Sequence, residues 1–142
     1  MAANGLTVAG VDVDEDGLAE TLARADELGV AGQVEPVPAD LTDDAQTEAA
    51  VETATELGAL SYVANIAGVQ HIDPIEEFPI ATYDRMHAVM VRAPLSLSKL
   101  ALPAIRESGD RTGCIGNTAS VHGHYVTAEK SGTTSRSSPC AG

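Results

Sequence analysis

Apolar residues alternate between short unbroken runs and longer stretches at helical spacing. Leu6–Val11 (LTVAGV) lacks polar alternation, as expected of a strand buried on both faces of a parallel sheet, and it stops at Asp12. Asp14 or Asp16 can then cap a helix to about Leu28, with Leu18, Leu22, Ala25 and Leu28 on one face and Gly29 as its stop. Val34–Ala39 (VEPVPA) reads as a second strand. Its prolines, Pro36 and Pro38, have no N–H to give to a ladder, which predicts a place at a sheet edge. Thr42 is expected to cap a helix to about Leu57, whose Ala49, Ala50, Ala54 and Leu57 form a small-residue face. Leu60–Ile66 (LSYVANI) is a third buried strand. Beyond a loop with Pro74 and Pro79, the residues Tyr83, Met86, Met90, Leu97, Ala101 and Ile105 recur with a period of about 3.6. Pro94 and Pro103 are expected to kink or split that helix. Gly113–Thr118 (GCIGNT) is a fourth strand, followed by Ala119 and Ser120.

Strand–helix alternation on this spacing predicts right-handed crossovers and an open parallel sheet, an α/β fold. Residues 1–130 are expected to form that domain. Residues 131–142 (SGTTSRSSPCAG) contain no Val, Ile, Leu, Met or aromatic residue, and are expected to form a disordered tail. Only four aromatics (Tyr62, Phe78, Tyr83 and Tyr125) occur among 142 residues, so the core must be aliphatic.

The net charge of −13 lies entirely in residues 1–58, which hold fourteen carboxylates and one base, Arg24. No basic footprint for nucleic acid or an anionic membrane surface is present. No stretch is read as approaching the roughly 20 apolar residues of a membrane span. Without a positive n-region before an apolar core, a cytoplasmic location is expected. Cys114 and Cys140 have no metal-binding spacing, and neither a disulfide framework nor a metal site is expected.

Ligands of open parallel sheets bind beyond the carboxyl ends of the strands, which here are Asp12, Asp40, Asn65–Gly68 and Ser120. A carboxylate at Asp12 can accept hydrogen bonds from both hydroxyls of an adenosine ribose while repelling a 2′-phosphate, a preference for NAD over NADP. Alternatively Asp12, Asp14, Glu15 and Asp16 are a solvated helix start complementing the helix dipole. Asp12, Asp14, Asp16 and Gly17 also match the first half of a calcium loop, but the position for its bidentate Glu is Ala23. Asn65-Ile66-Ala67-Gly68 offers small residues to a flat ligand and an amide able to tie neighbouring strands together; strand-ending glycines are also simple turns. Ser120 could donate to a developing alkoxide, or cap a helix. His122 and His124 lack a third ligand, and His71 and His87 read as residues without a role.

Asn65–Gly68 together with Asn117-Thr118-Ala119-Ser120, with Asp12 and Asp40 at matching intervals, resembles the short-chain dehydrogenase/reductase family over roughly residues 3–131. A finer resemblance is to D-3-hydroxybutyrate dehydrogenases, carried by Gly68-Val69-Gln70-His71, Pro74–Pro79 and Ala119-Ser120-Val121-His122-Gly123 with Lys130. The resemblance implies a Rossmann-like doubly wound sheet with helices on both faces, and an NAD-dependent oxidoreductase acting on a small hydroxy acid. By the same resemblance, Asp12 would bind the adenosine ribose, Asp40 and Leu41 the adenine, and Asn65, Ala67 and Gly68 the nicotinamide side. Ser120 would be catalytic, bonding the reacting oxygen of the substrate, while Gln70, His122 and Lys130 would hold its carboxylate. A homotetramer would be the family's assembly.

Against that family pattern, the chain looks truncated at both ends. The family's first strand and glycine-rich phosphate loop would precede Ala3–Gly5. The positions of its catalytic Tyr and Lys hold Thr133 and Ser137, and Met90 stands where it has a catalytic Asn. Tyr125 and Lys130 are no substitute, because i, i+5 does not share a helical face. The missing strand would lie between Leu6–Val11 and Leu60–Ile66, so those strands are expected either to pair directly or to leave apolar edges open. The composition change after Ser131 suggests a frameshifted or truncated reading frame. The chain itself is therefore expected to be inactive, or alternatively to be a non-catalytic nucleotide-binding or regulatory fragment.

Overall fold

The computed structural model describes residues 1–109 and 113–120. His122, Lys130, Tyr125 and the expected tail at 131–142 lie outside the described residues. Thr7–Asp12 forms β1 and Gln33–Pro38 forms β2, joined by α1 at Glu15–Leu28. Asp14 caps α1 by accepting the Gly17 N–H, and Gly29 ends it at a φ of 56°, a conformation natural to glycine. β1 and β2 pair in parallel from Thr7 opposite Gln33 to Asp12 opposite Pro38. Among the described residues β2 has no second neighbour, as its prolines require.

The helix α2, Asp44–Glu56, is capped by Asp43, whose carboxylate accepts the N–H groups of Ala45 and Gln46. This corrects the expectation of Thr42, which instead hydrogen-bonds Asp40. The buried face is also turned from the expected one: Thr47 and Ala50 are buried, while Ala49 and Leu57 are exposed. Thr47 can enter the core because its hydroxyl donates to the Asp43 carbonyl at 2.8 Å, satisfying its polar atom within the helix.

Tyr62–Asn65 forms β3 and Cys114–Asn117 forms β4, parallel, with Asn65 opposite Asn117. The long apolar segment between them is α3 (Ile80–His87), a wider π turn at Ala88–Arg92, and α4 (Ala93–Glu107). Pro94, in the first turn of α4, has no N–H for the Met90 carbonyl, and the chain passes that gap in the π turn; Pro103 stays inside α4. By length and composition, Ile80–Glu107 meets the criterion for a membrane span, contrary to the expectation. Here it is a packing helix, burying Met86, Met90, Ala93, Ala101 and Ile105 and lying against β3 and α2.

Lateral order follows from handedness. α2 and α4 pack on each other and share one face. Leaving β2, α2 packs across β1, so β3 lies beyond β1, and a second right-handed crossover on the same face carries β4 beyond β3. The crossover through α1 runs the opposite way, which puts α1 on the other face. The doubly wound arrangement is therefore present, but in two two-stranded sheets, β1–β2 and β3–β4, with no pairing between β1 and β3. β3 is correspondingly less buried than expected: Asn65 is buried, whereas Tyr62 and Ala64 are exposed.

Candidate functional site

All four strands present their carboxyl ends to one side, and the candidate residues gather there in two groups. At the ends of β1 and β2, the Ala39 N–H donates to the Asp12 carbonyl at 2.9 Å and brings Asp40 beside Asp12. The exposed Asp12 carboxylate accepts the Asp14 N–H through Oδ1 at 3.1 Å, and among the described residues its Oδ2 has no partner. Asp12, Asp14 and Asp16 do not converge as a calcium loop would; Asp14 is committed to the helix cap. Among the described residues, no group of three His, Cys, Asp or Glu side chains is placed to hold a metal ion.

Asp40 is more structured. Its Oδ1 accepts the Thr42 N–H at 2.9 Å and the Thr42 hydroxyl at 2.7 Å. These bonds to the charged form, the amide's first, hold its carboxyl below the usual range; partial burial opposes them, and the Arg85 guanidinium on α3 adds a smaller lowering. The Asp40 N–H donates to Gln46 Oε1 at 2.9 Å, so α2 reaches back and fixes the turn holding Leu41. Thr42, Gln46 and Arg85 were not legible as site residues. Only the placement of Thr42 two residues after an Asp, the spacing of an Asx turn, hinted at one of them.

At the ends of β3 and β4, the Asn65 amide does tie the strands together. Its Nδ2 donates to Asn117 Oδ1 at 2.9 Å, and the Thr118 N–H donates to the Asn65 carbonyl at 2.9 Å. Ser120 follows, half-buried, three residues past the strand. Ala67, Gly68 and Gln70 lie in the exposed loop after β3. A Cβ on Gly68 would sit 3.6 Å from Met90 Sδ, so the thioether lies against that loop with no polar hydrogen to donate. In the same loop His71 Nε2 pairs with Asp73, and its ring meets Phe78 edge-on at 5.3 Å between centroids.

A dinucleotide needs partners for two nucleosides and for the diphosphate joining them. Strand-end groups suited to the nucleosides are present in Asp12, Asp40 and Leu41 on one side and Asn65, Ala67 and Gly68 on the other. The diphosphate finds no cradle among the described residues. α1 opens with Asp14, Glu15 and Asp16, and α2 with Asp43 and Asp44; these carboxylates occupy or repel from the helix N-termini that would otherwise attract phosphate. The described residues therefore fit the two ends of such a ligand and not its middle.

A parallel α/β sheet with ligand groups at its strand ends defines a nucleotide-binding class of fold. The family model for short chain dehydrogenases matches residues 1–132, and the chain belongs to that family of oxidoreductases. It is 31% identical over 133 residues to D-beta-hydroxybutyrate dehydrogenase of Cupriavidus necator, a match covering 91% of this chain and 51% of the relative. It is 33% identical over 134 residues to levodione reductase of Leifsonia aquatica, covering 93% and 49%. The crystal structure of a levodione reductase superposes with a TM-score of 0.86 at 31% identity, over 96% of this chain and 53% of that one. A blue fluorescent protein from a metagenomic library, solved in complex with NADPH, superposes at 0.80 with 26% identity over 96% and 55%. The chain thus spans about half the length of these relatives, and the family it belongs to binds nicotinamide cofactors.

Proposed function

We propose that residues 1–142 carry part of an NAD-dependent dehydrogenase that exchanges hydride with a small hydroxy acid resembling 3-hydroxybutyrate, and that this chain alone turns over no substrate. The observation that carries the cofactor choice is Asp12. Its carboxylate stands exposed at the carboxyl end of β1, with Oδ2 unpartnered among the described residues, suited to ribose hydroxyls and repulsive to a 2′-phosphate. The likeness to D-beta-hydroxybutyrate dehydrogenases supports the substrate class. On this reading Ser120 bonds the reacting oxygen of the substrate, and Gln70, His122 and Lys130 hold its carboxylate. The protein works in the cytoplasm, and its complete form is a homotetramer. Inactivity rests on Thr133 and Ser137 standing where the family's Tyr and Lys are expected, and on Met90, which cannot donate a proton.

Equilibrium binding tests the cofactor choice. NAD is expected to raise the thermal midpoint of the purified chain more than NADP at equal concentration, and Asp12→Ala to abolish that difference. A larger rise with NADP overturns the assignment of Asp12. No rise with either overturns nucleotide binding by this chain and leaves it a structural fragment.

A further inference from the structure

The turn that follows β2 holds an acceptor without a donor. Asp40 Oδ1 takes both the N–H and the hydroxyl of Thr42, and among the described residues Oδ2 accepts no hydrogen bond. Asp40 and Leu41 are both half-buried, so this oxygen stands beside an apolar side chain at the carboxyl end of the strand. Gln46, by accepting the Asp40 N–H at 2.9 Å, fixes the backbone that carries them.

A donor without an acceptor lies near it. The helical segment Ile80–Glu107 is continuous over 28 residues. α4 lies against β3 and must return to the start of the parallel strand β4, so its amino end, with the π turn and α3 before it, lies on the side of the strands' carboxyl ends. Arg92 marks the level of the first turn of α2, donating to the Thr42 carbonyl at 3.2 Å and pairing with Asp44. Arg85 precedes it by about two turns, roughly 10 Å farther out along the axis. Its neighbour Met86 is buried and roots the turn that carries it. Arg24 and Arg92 are engaged with Glu27 and Asp44, whereas Arg85 is exposed and forms no ion pair or hydrogen bond among the described residues. Its charge nevertheless reaches Asp40 and adds to the lowering of that carboxyl.

An acceptor with a donor near it matches one kind of base edge. Adenine presents an exocyclic N6–H donor next to a ring-nitrogen acceptor, whereas guanine and hypoxanthine place a carbonyl oxygen where that amino group would be. An ionised carboxylate has no hydrogen to give that oxygen and repels it. We propose that Arg85 is a specificity-determining residue for an adenine base: its guanidinium donates to a ring nitrogen while Asp40 Oδ2 accepts the N6–H, and Leu41 lies against the ring. This rests on Asp40 and Leu41 being the adenine end of the site; it needs neither a diphosphate nor a substrate.

The test titrates the purified 142-residue chain with adenosine and with inosine, both uncharged, and follows the backbone amides by NMR. Adenosine is expected to shift the Leu41 and Thr42 amides and to bind about tenfold more tightly than inosine, the scale of one charge-assisted hydrogen bond. Arg85→Leu, at an exposed position without bonds to the rest of the chain, is expected to weaken adenosine about tenfold for the same reason. If the parent prefers adenosine and Arg85→Leu binds it equally well, the role of Arg85 is overturned and the Asp40–Leu41 assignment stands. Equal affinity for the two nucleosides overturns the pairing with the base edge. No shift at Leu41 or Thr42 with millimolar adenosine removes the adenine assignment itself, and the proposal with it.

Discussion

Asp40 shows how much of the site is set by neighbours one or two positions away. Two hydrogen bonds from Thr42 favour its charged form, so its folded pKa lies below the ordinary 3.8. A depressed carboxyl contributes stability that is present above the unfolded pKa and is lost as pH falls through the folded one. Thr42→Val keeps the shape and the amide bond but removes the hydroxyl donor. The variant is expected to be less stable than the parent at neutral pH, with the gap narrowing as pH drops below about 3.9. Thermal midpoints measured from pH 7 to pH 2 check this; a gap that stays constant would remove Asp40 as its cause. The sequence marked Asp40 by its place after a strand, yet assigned Thr42 to the helix cap. Thr42 and Asp43 are adjacent and both suit that role, and local pattern alone does not say which turns toward the helix. The strand-end places of Asp12 and Asn65 were legible because the apolar runs stop there, whereas Gln46 and Arg85 approach Asp40 through packing between separate segments, which no local pattern encodes.

Among the described residues, periodicity located the four strands, α1, α2 and the long segment of α3 and α4 to within a few residues, since unbroken apolar runs and helical spacing report the two kinds of backbone directly; the π turn at Ala88–Arg92 was not expected. Exposure was less legible. LSYVANI reads as buried on both faces, but β3 leaves Tyr62 and Ala64 open, because burial depends on what covers a strand and not on the strand itself. The connection from α1 to β2 shows a constraint of the same non-local kind. Gly32 donates its N–H to the Ala2 carbonyl at 2.9 Å, and a Cβ there would overlap the Leu6 carbonyl oxygen and come within 2.7 Å of Ala2 O. Backbone on two sides cannot give way as a flexible side chain would. Gly32→Ala is expected to cost about 1–3 kcal/mol, the scale of an overpacked site, read as a lower denaturation midpoint with an unchanged slope. An unchanged midpoint would show that residues 2–6 do not hold this turn.

At the scale of the molecule, the chain is two strand pairs bridged by one helix layer. Arg92, at the end of the π turn, donates to the Thr42 carbonyl at 3.2 Å and pairs with Asp44, so polar contacts reinforce the packing of α2 on α4. The acidic excess of the first 58 residues resolves at this scale. Much of it lies at helix starts and on exposed faces, Asp12 and Asp40 stand at strand ends, and the acidic openings of α1 and α2 leave a diphosphate without a cradle. A family of oxidoreductases is thus represented by a sheet whose strand ends carry groups suited to nucleosides and, among the described residues, no group suited to the phosphates. The most direct test is the initial rate of NADH formation from NAD and D-3-hydroxybutyrate by the purified chain, beside a complete D-beta-hydroxybutyrate dehydrogenase as positive control. The rate is predicted to be indistinguishable from buffer at every chain concentration; a rate that rises in proportion to the chain would contradict the account.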